Sequence, residues 1–152
     1  MKAVIFNSGL GNRMGDFTEN NHKSMVKLKD GETIFHRQIR LLSEEGIREF
    51  IVTTGPFEEQ LKGVAEDFPE LQFTFVRNAI YDKTNYIYSM YLAREYMNDD
   101  LVFLHGDLVF NRKLVKDVLA CSDKSTGTVN FTKELPEKDF KARVKDGKIL
   151  EV

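Results

Sequence analysis

The sequence predicts an α/β fold: a Rossmann-like, mainly parallel sheet with helices on both faces. Three observations predict it. Short apolar runs alternate along the chain with amphipathic helical segments, the first run empties into a glycine-bearing polar loop, and no repeat, low-complexity tract or Pro/Ser-rich linker interrupts the alternation. A strand, a helix and a second strand of the same sheet connect through a right-handed crossover, so this order argues for parallel pairing.

Residues 3–6 (AVIF) read as a buried strand ending at Asn7 and Gly9. From 7 to 23, three glycines and four asparagines fit neither a helical nor an alternating period, which makes the stretch a long loop. Residues 25–28 suggest a brief strand closed by the Asp30-Gly31 turn. Thr33 suits the N-cap of a helix that turns Ile34, Phe35, Ile39 and Leu42 inward, leaves Arg37, Arg40, Glu44 and Glu45 in water, and ends near Gly46. Residues 50–54 form the next strand. Gly55-Pro56 opens a helix whose Leu61, Val64, Ala65 and Phe68 fall on one face, and 71–76 alternate as a strand. After a loop over 78–83, Thr84 caps a helix reaching Met97; being apolar on most sides, it is expected to be well buried. Residues 101–104 form a strand running into His105-Gly106-Asp107, and Leu114, Val115, Val118 and Leu119 mark another amphipathic helix. Residues 126–131 suggest a strand, as do Phe140, Ala142 and Val144, which turn at Asp146-Gly147 into 149–152. A hairpin strand in last position, with nothing to cover it, leaves the sheet unfinished. The expectation is one domain over 1–152, C-terminally incomplete.

A chain of 152 residues and 17.6 kDa, 41% hydrophobic, is long enough for one buried core and short for two. A formal charge of -2 supplies no net field for a nucleic-acid backbone or an anionic membrane, so both partners are disfavoured. Cys121, the single cysteine, excludes an intramolecular disulfide, and His22, His36 and His105 have no zinc-ligand spacing. A metal here is therefore a hard cation held by oxygen. The apolar runs fall far below the roughly 18 residues of a membrane span. Without a signal-peptide pattern at the N-terminus, a reducing cytoplasm is the expected compartment.

Ligands of an open α/β sheet gather at the carboxyl ends of the strands, where 7–23, 78–85 and 105–107 all fall. Gly9-Leu10-Gly11-Asn12-Arg13 after a strand lets backbone N–H groups approach an anion, with Arg13 offering a fork of donors and Lys23 a movable charge. The structural alternative is a tight loop with a solvated arginine. A Walker loop is excluded because no Gly-Lys-Ser/Thr closes the motif. A dinucleotide fold is disfavoured because Gly15 and Asn20-Asn21 oppose a helix there, although Asp30 sits at a ribose-contact distance. Asp107 places a carboxylate at the sheet edge, suited to Mg²⁺; its alternative role is to cap a turn before the helix at Asn111.

The run Ala3-Val-Ile-Phe-Asn-Ser-Gly9-Leu-Gly11-Asn-Arg13-Met, followed by Thr18-Glu-Asn-Asn-His-Lys23, resembles the N-terminal signature of nucleotidyltransferases that activate sugar phosphates and phosphocholine. Asn78 and Thr84-Asn85-Tyr-Ile-Tyr-Ser89-Met-Tyr-Leu look most like the phosphocholine cytidylyltransferase branch, and His105-Gly106-Asp107 falls where that family has its first metal-binding aspartate. The resemblance covers essentially the whole chain. It implies cytidylyl transfer from CTP to a small phosphate or phosphonate acceptor such as phosphocholine, releasing pyrophosphate with no covalent enzyme intermediate. It also assigns roles. Asn7, Ser8, Gly9, Leu10, Gly11 and Asn12 would bind the nucleotide, Arg13 the β- and γ-phosphates, Lys23 the α-phosphate and incoming oxygen, and Asp107 Mg²⁺.

Asn78, Asn85 and Ser89 are candidates for base or ribose contacts, although Asn85 is equally explained as a helix cap. Two departures stand out. Asn7-Ser8 replaces the family's usual pair of alanines, and His22 its usual proline. A second metal-binding aspartate and the acceptor-binding strands have no counterpart before residue 152. The alternatives are therefore a sugar-1-phosphate nucleotidyltransferase or a nucleotide-binding domain without catalysis. Tyr81, Tyr86, Tyr88 and Tyr91 suit a cationic cage but read better as core, His105 as packing below the metal site, His36 as exterior, and Cys121 as a small buried residue. The unpaired final edge makes a homo-oligomer possible.

Overall fold

The structure is a computed structural model that describes residues 1–9, 20–121, 125–129, 131 and 141–151. It divides into two compact units, residues 1–115 and 116–152. The first unit contains four strands, β1 (Lys2–Asn7), β2 (Glu49–Thr54), β3 (Gln72–Arg77) and β4 (Leu101–His105). With them are helices α1 (Ile34–Glu44), α2 (Glu58–Ala65), α3 (Tyr86–Ala93) and the start of α4 (Arg112–Leu119).

All pairings in this sheet are parallel, in the order β3-β2-β1-β4, as the α/β reading expected. The chain steps one way from β1 through β2 to β3 and then jumps back to β4. Right-handed crossovers therefore place α1 and α2 on one face and α3 on the other. The alternation of strand side chains follows this division. Val4, Phe6 and Ile51 form a buried cluster with Ala93 of α3, against which Val76, Tyr86, Met90, Met97 and Leu101 pack. Ala3, Ile5, Phe50 and Val52 point the opposite way and are equally buried. The direction of travel reverses between β1 and β4, so their carboxyl ends border the crevice where such folds bind ligands.

Thr33 caps α1, its hydroxyl accepting from the His36 N–H, and Ile34, Phe35, Ile39 and Leu42 are buried as their spacing required. Other expectations need correction. The residues from 25 to 28 are not a strand. Lys23–Met25 form a 3-10 turn, and Lys27 makes only an isolated antiparallel bridge to Thr33, because the tight turn at Asp30-Gly31 leaves no length for a ladder. Asn85, not Thr84, caps α3; the Thr84 hydroxyl instead donates to the Ile80 carbonyl and accepts from Asn78.

Nor is α3 well buried: Ile87 and Tyr91 are 52% and 56% exposed, since only one side of the helix meets the sheet. Phe68 lies beyond the end of α2, yet its side chain is buried. In the second unit β5 (Arg143–Lys145) and β6 (Lys148–Glu151) form the antiparallel hairpin expected at Asp146-Gly147, whose φ values of 49° and 73° suit a two-residue hairpin turn. Residues 125–129 and 131 form no strand, and Phe140 lies outside the described residues. Cys121 is exposed, against the expectation of burial.

Candidate active site

Parallel register sets the frame of the site. Phe6 pairs with His105 and Asn7 with Thr54, so the chain leaves β1 at Ser8 directly beside the Gly106-Asp107 turn. The Gly106 N–H donates to the Phe6 carbonyl at 3.1 Å, extending the pairing one step past the strand. Across this edge the Lys23 ammonium meets the Asp107 carboxylate at 2.8 Å, with side chains 16% and 43% exposed. Partial burial opposes ionisation of Asp107, but the hydrogen bond and charge of Lys23 outweigh it and hold the carboxyl below the ordinary aspartate range. Asp107 thus stays an anion able to accept a hard cation.

Lys23 is held from behind. His22 N-caps the 3-10 turn, its Nδ1 accepting from the Ser24 N–H at 3.2 Å and lying 2.7 Å from the Ser24 hydroxyl. Gln60 of α2 accepts from the His22 N–H at 2.9 Å and donates to the Asn20 carbonyl at 3.0 Å. The imidazole is buried and pushed down to about 4, first by desolvation and then by the Lys23 charge, so it is neutral at physiological pH. Because Nδ1 accepts, the proton sits on Nε2, on the side of the ring that faces the Asn7 and Gly9 backbone.

The end of β1 is backed by a chain of buried hydroxyls and amides. Ser8 Oγ donates to Thr53 Oγ1 at 3.0 Å and accepts from Ser89 Oγ at 2.9 Å. Ser89 in turn accepts from Asn78 Nδ2 at 3.0 Å, whose other proton goes to Thr84, while Asn78 Oδ1 takes the Ile80 N–H. A Cβ on Gly55 would lie 2.4 Å from the Ser8 carbonyl oxygen, so β2 can approach this corner only with glycine.

Asn7, Ser8, Lys23 and Asp107 are thus brought to one sheet edge, with Gly9 directly after it. Asn78 and Ser89 lie behind Ser8 with their polar groups engaged internally, and Asn85 sits at the start of α3 with an exposed side chain. Leu10, Gly11, Asn12 and Arg13 lie outside the described residues. Thr53, Gln38 and the buried state of His22 were not anticipated, although a polar residue in the apolar stripe of α1 was a usable signal for Gln38. His105 packs on Phe6 and edge-on against Tyr86, whose ring also packs on Phe6. His36 pairs with Glu32 and packs on Phe68. Tyr88 and Tyr91 stack on each other, and Tyr91, 56% exposed with Arg94 over its ring, is not core. Among the described residues no three His, Cys, Asp or Glu side chains cluster as a metal site, and no helix is long and apolar enough to cross a membrane.

A parallel sheet with a lysine and an aspartate meeting at its switch point has the form of a nucleotidyltransferase domain. Residues 3–136 match the MobA-like NTP transferase domain, and the chain belongs to that family. It is 32% identical over 114 residues to the choline-phosphate cytidylyltransferase of Haemophilus influenzae, covering 75% of this chain and 47% of that protein. It is 26% identical to the CMP-5'-(3-aminopropyl)phosphonate synthase of Streptomyces rubellomurinus, over 82% of this chain and 20% of that protein. The solved CTP:phosphocholine cytidylyltransferase of Streptococcus pneumoniae superposes with a TM-score of 0.61 at 31% identity, covering 70% of this chain and 44% of that one. The chain spans about half the length of the first curated relatives it matches.

Proposed function

We propose that the whole protein moves a cytidylyl group from CTP to a small phosphate- or phosphonate-bearing acceptor such as phosphocholine, releasing pyrophosphate. The observation that carries the reading is the Lys23–Asp107 pair at 2.8 Å beside the exit of β1. The choline-phosphate cytidylyltransferase and the CMP-5'-(3-aminopropyl)phosphonate synthase among its relatives support the donor and the acceptor class.

In the proposed step an acceptor oxygen attacks the α-phosphorus, an α-phosphorus–oxygen bond forms, the bond to the β-phosphate bridge breaks, and pyrophosphate leaves. Negative charge spreads over the phosphoryl oxygens, so the protein contributes positioning and electrostatics rather than a nucleophile. Lys23 steadies the α-phosphate and the incoming oxygen, while the backbone of 8–11 and Arg13 receive the base and the outer phosphates. Ser8 is fixed for this by Thr53, Ser89 and Asn78, and Asn85 offers its exposed amide to the ribose or base. The half-exposed Asp107 carboxylate is a hard oxygen donor, which fits Mg²⁺ because that ion uses one or two carboxylates together with substrate phosphates and water. When bound there, Mg²⁺ shares the charge of the triphosphate.

Calorimetric titration of the full-length protein with CTP, UTP, GTP and ATP, with and without Mg²⁺, tests the reading. Metal-dependent preference for CTP is expected; absence of nucleotide binding overturns it. Pyrophosphate release with phosphocholine, aminoethylphosphonate or sugar phosphates then identifies the acceptor.

A further inference from the structure

Helix α1 carries one uncharged polar side chain deep in its apolar face. Gln38 is 1% exposed, on the stripe that buries Ile34, Phe35, Ile39, Leu41 and Leu42. Its Nε2 donates to the His105 carbonyl at 3.0 Å and to the Leu108 carbonyl at 2.8 Å, the acceptors on either side of Gly106-Asp107. The Leu108 N–H also donates to the His105 carbonyl, at 3.2 Å, closing the same turn. One residue earlier on the helix, Arg37 Nε donates to the Phe110 carbonyl at 3.3 Å, holding the segment that leaves it.

The amide has only one orientation here. Turned over, it would set Oε1 against two carbonyl oxygens, so the NH₂ faces the turn and Oε1 is left buried without a partner. A leucine or methionine would fill this place in the core without burying an unpartnered side-chain oxygen, but would take the donor from the Leu108 carbonyl. The polar choice uses both donors on the one turn that carries the candidate metal-binding carboxylate.

We infer that Gln38 is a positioning residue that clamps the 105–108 turn so that Asp107 meets Lys23. It acts through that turn and touches none of the reacting groups. Its consequence for catalysis rests on the proposed function, while the clamp itself does not.

Trace acylation of lysines at neutral pH, read by peptide mapping, tests the clamp without nucleotide. Wild-type Lys23 is expected to react slowly relative to exposed Lys29, because its amine is sheltered and paired to Asp107. Asp107→Asn sets the rate of a released Lys23. Gln38→Met keeps the length of the side chain and removes both donors; Gln38→Glu keeps its shape and leaves at most the single O–H of a protonated carboxyl for two carbonyls. Each is expected to raise Lys23 labelling several-fold toward the Asp107→Asn rate. Ile39→Val, a variant of the same helix that removes a buried methyl group, serves as the control for lost packing and is expected to leave the rate unchanged. The second Gln38 variant keeps the test decisive if the first does not fold. Wild-type labelling in the Gln38 variants, or an equal rise in Ile39→Val, overturns the inference. Failure of the full-length protein to bind CTP would overturn the proposed function alone.

Discussion

The Asn7 carboxamide occupies the space that a side chain at position 106 would need: a Cβ built on Gly106 would lie 1.5 Å from Asn7 Oδ1 and 2.4 Å from Asn7 Cγ. Asn7 is fully buried, and neither of its side-chain polar atoms has a hydrogen-bond partner among the described residues. The two residues are therefore sterically coupled across β1 and β4 at the edge that carries Asp107. Gly106→Ala is expected to cost about 1–3 kcal/mol through overpacking. Asn7→Ala removes the obstruction, so the double variant should recover most of that loss. Urea unfolding of the four proteins measures the coupling; additive effects would show that the two residues do not compete for one space.

His22 should make stability depend on pH. Burial holds its folded-state value at about 4, helped by the Lys23 charge and opposed by the Asn7 and Gly9 backbone and by Asp107. An unfolded histidine titrates near 6.5. Stability is therefore complete above about pH 6.5 and falls toward pH 4, an interval over which the unfolded chain takes the proton in preference to the folded one, by about 3 kcal/mol in all. His22→Asn keeps a capping acceptor and removes the titration. Its loss between pH 7.5 and 4.5, measured by urea unfolding, should be about 2 kcal/mol smaller than that of the wild type. Equal losses would refute the assignment.

The elements were legible where local chemistry agreed with tertiary context. Continuous apolar runs marked β1 and β2, Thr33 marked the start of α1, and Asp146-Gly147 marked the hairpin turn. Lys23 and Asp107 could each be singled out from a neighbouring glycine motif. Their contact across 84 residues was not readable locally, because it depends on the β1–β4 register. The exposure of α3 is hidden from the sequence for a related reason: an apolar helix surface shows what can be buried, whereas the sheet covers only one side. Gln38 marks the reverse case, in which a polar residue on an apolar stripe is the local trace of a contact with a distant turn.

Glu32 ties the loop before α1 to that helix. Its carboxylate meets Arg40 in a two-pronged pair, Nε to Oε1 at 2.8 Å and Nη2 to Oε2 at 2.9 Å, with His36 Nδ1 at 2.8 Å. The Arg40 hydrogen bonds lead in pulling Glu32 down to about 2, against desolvation and with help from His36. The resulting stability is present above the unfolded value near 4.3 and disappears as pH falls toward 2. Arg40 is about a third exposed, so solvent screening reduces the contribution. Glu32→Gln is expected to lose about 1–2 kcal/mol at pH 7. The gap from wild type should close on acidification to pH 2.5, and a gap constant with pH would exclude the ion pair as its source.

Lys23 offers the sharpest kinetic test of the proposed reaction. Without nucleotide its charge is balanced by Asp107, so a phosphate that takes the ammonium must displace a pairing already made. Ground-state binding therefore gains little from Lys23, whereas charge developing on the phosphoryl oxygens gains more. Lys23→Ala in the full-length protein is expected to lower kcat by about 10²–10³-fold and to leave KM for CTP within about threefold. Asp107→Asn should instead raise the Mg²⁺ concentration needed for half-maximal rate by about tenfold or more, since it removes a charged oxygen ligand. Steady-state kinetics at varied CTP and Mg²⁺ separate the two effects. A Lys23→Ala enzyme with normal kcat and a raised KM would make Lys23 a binding residue only.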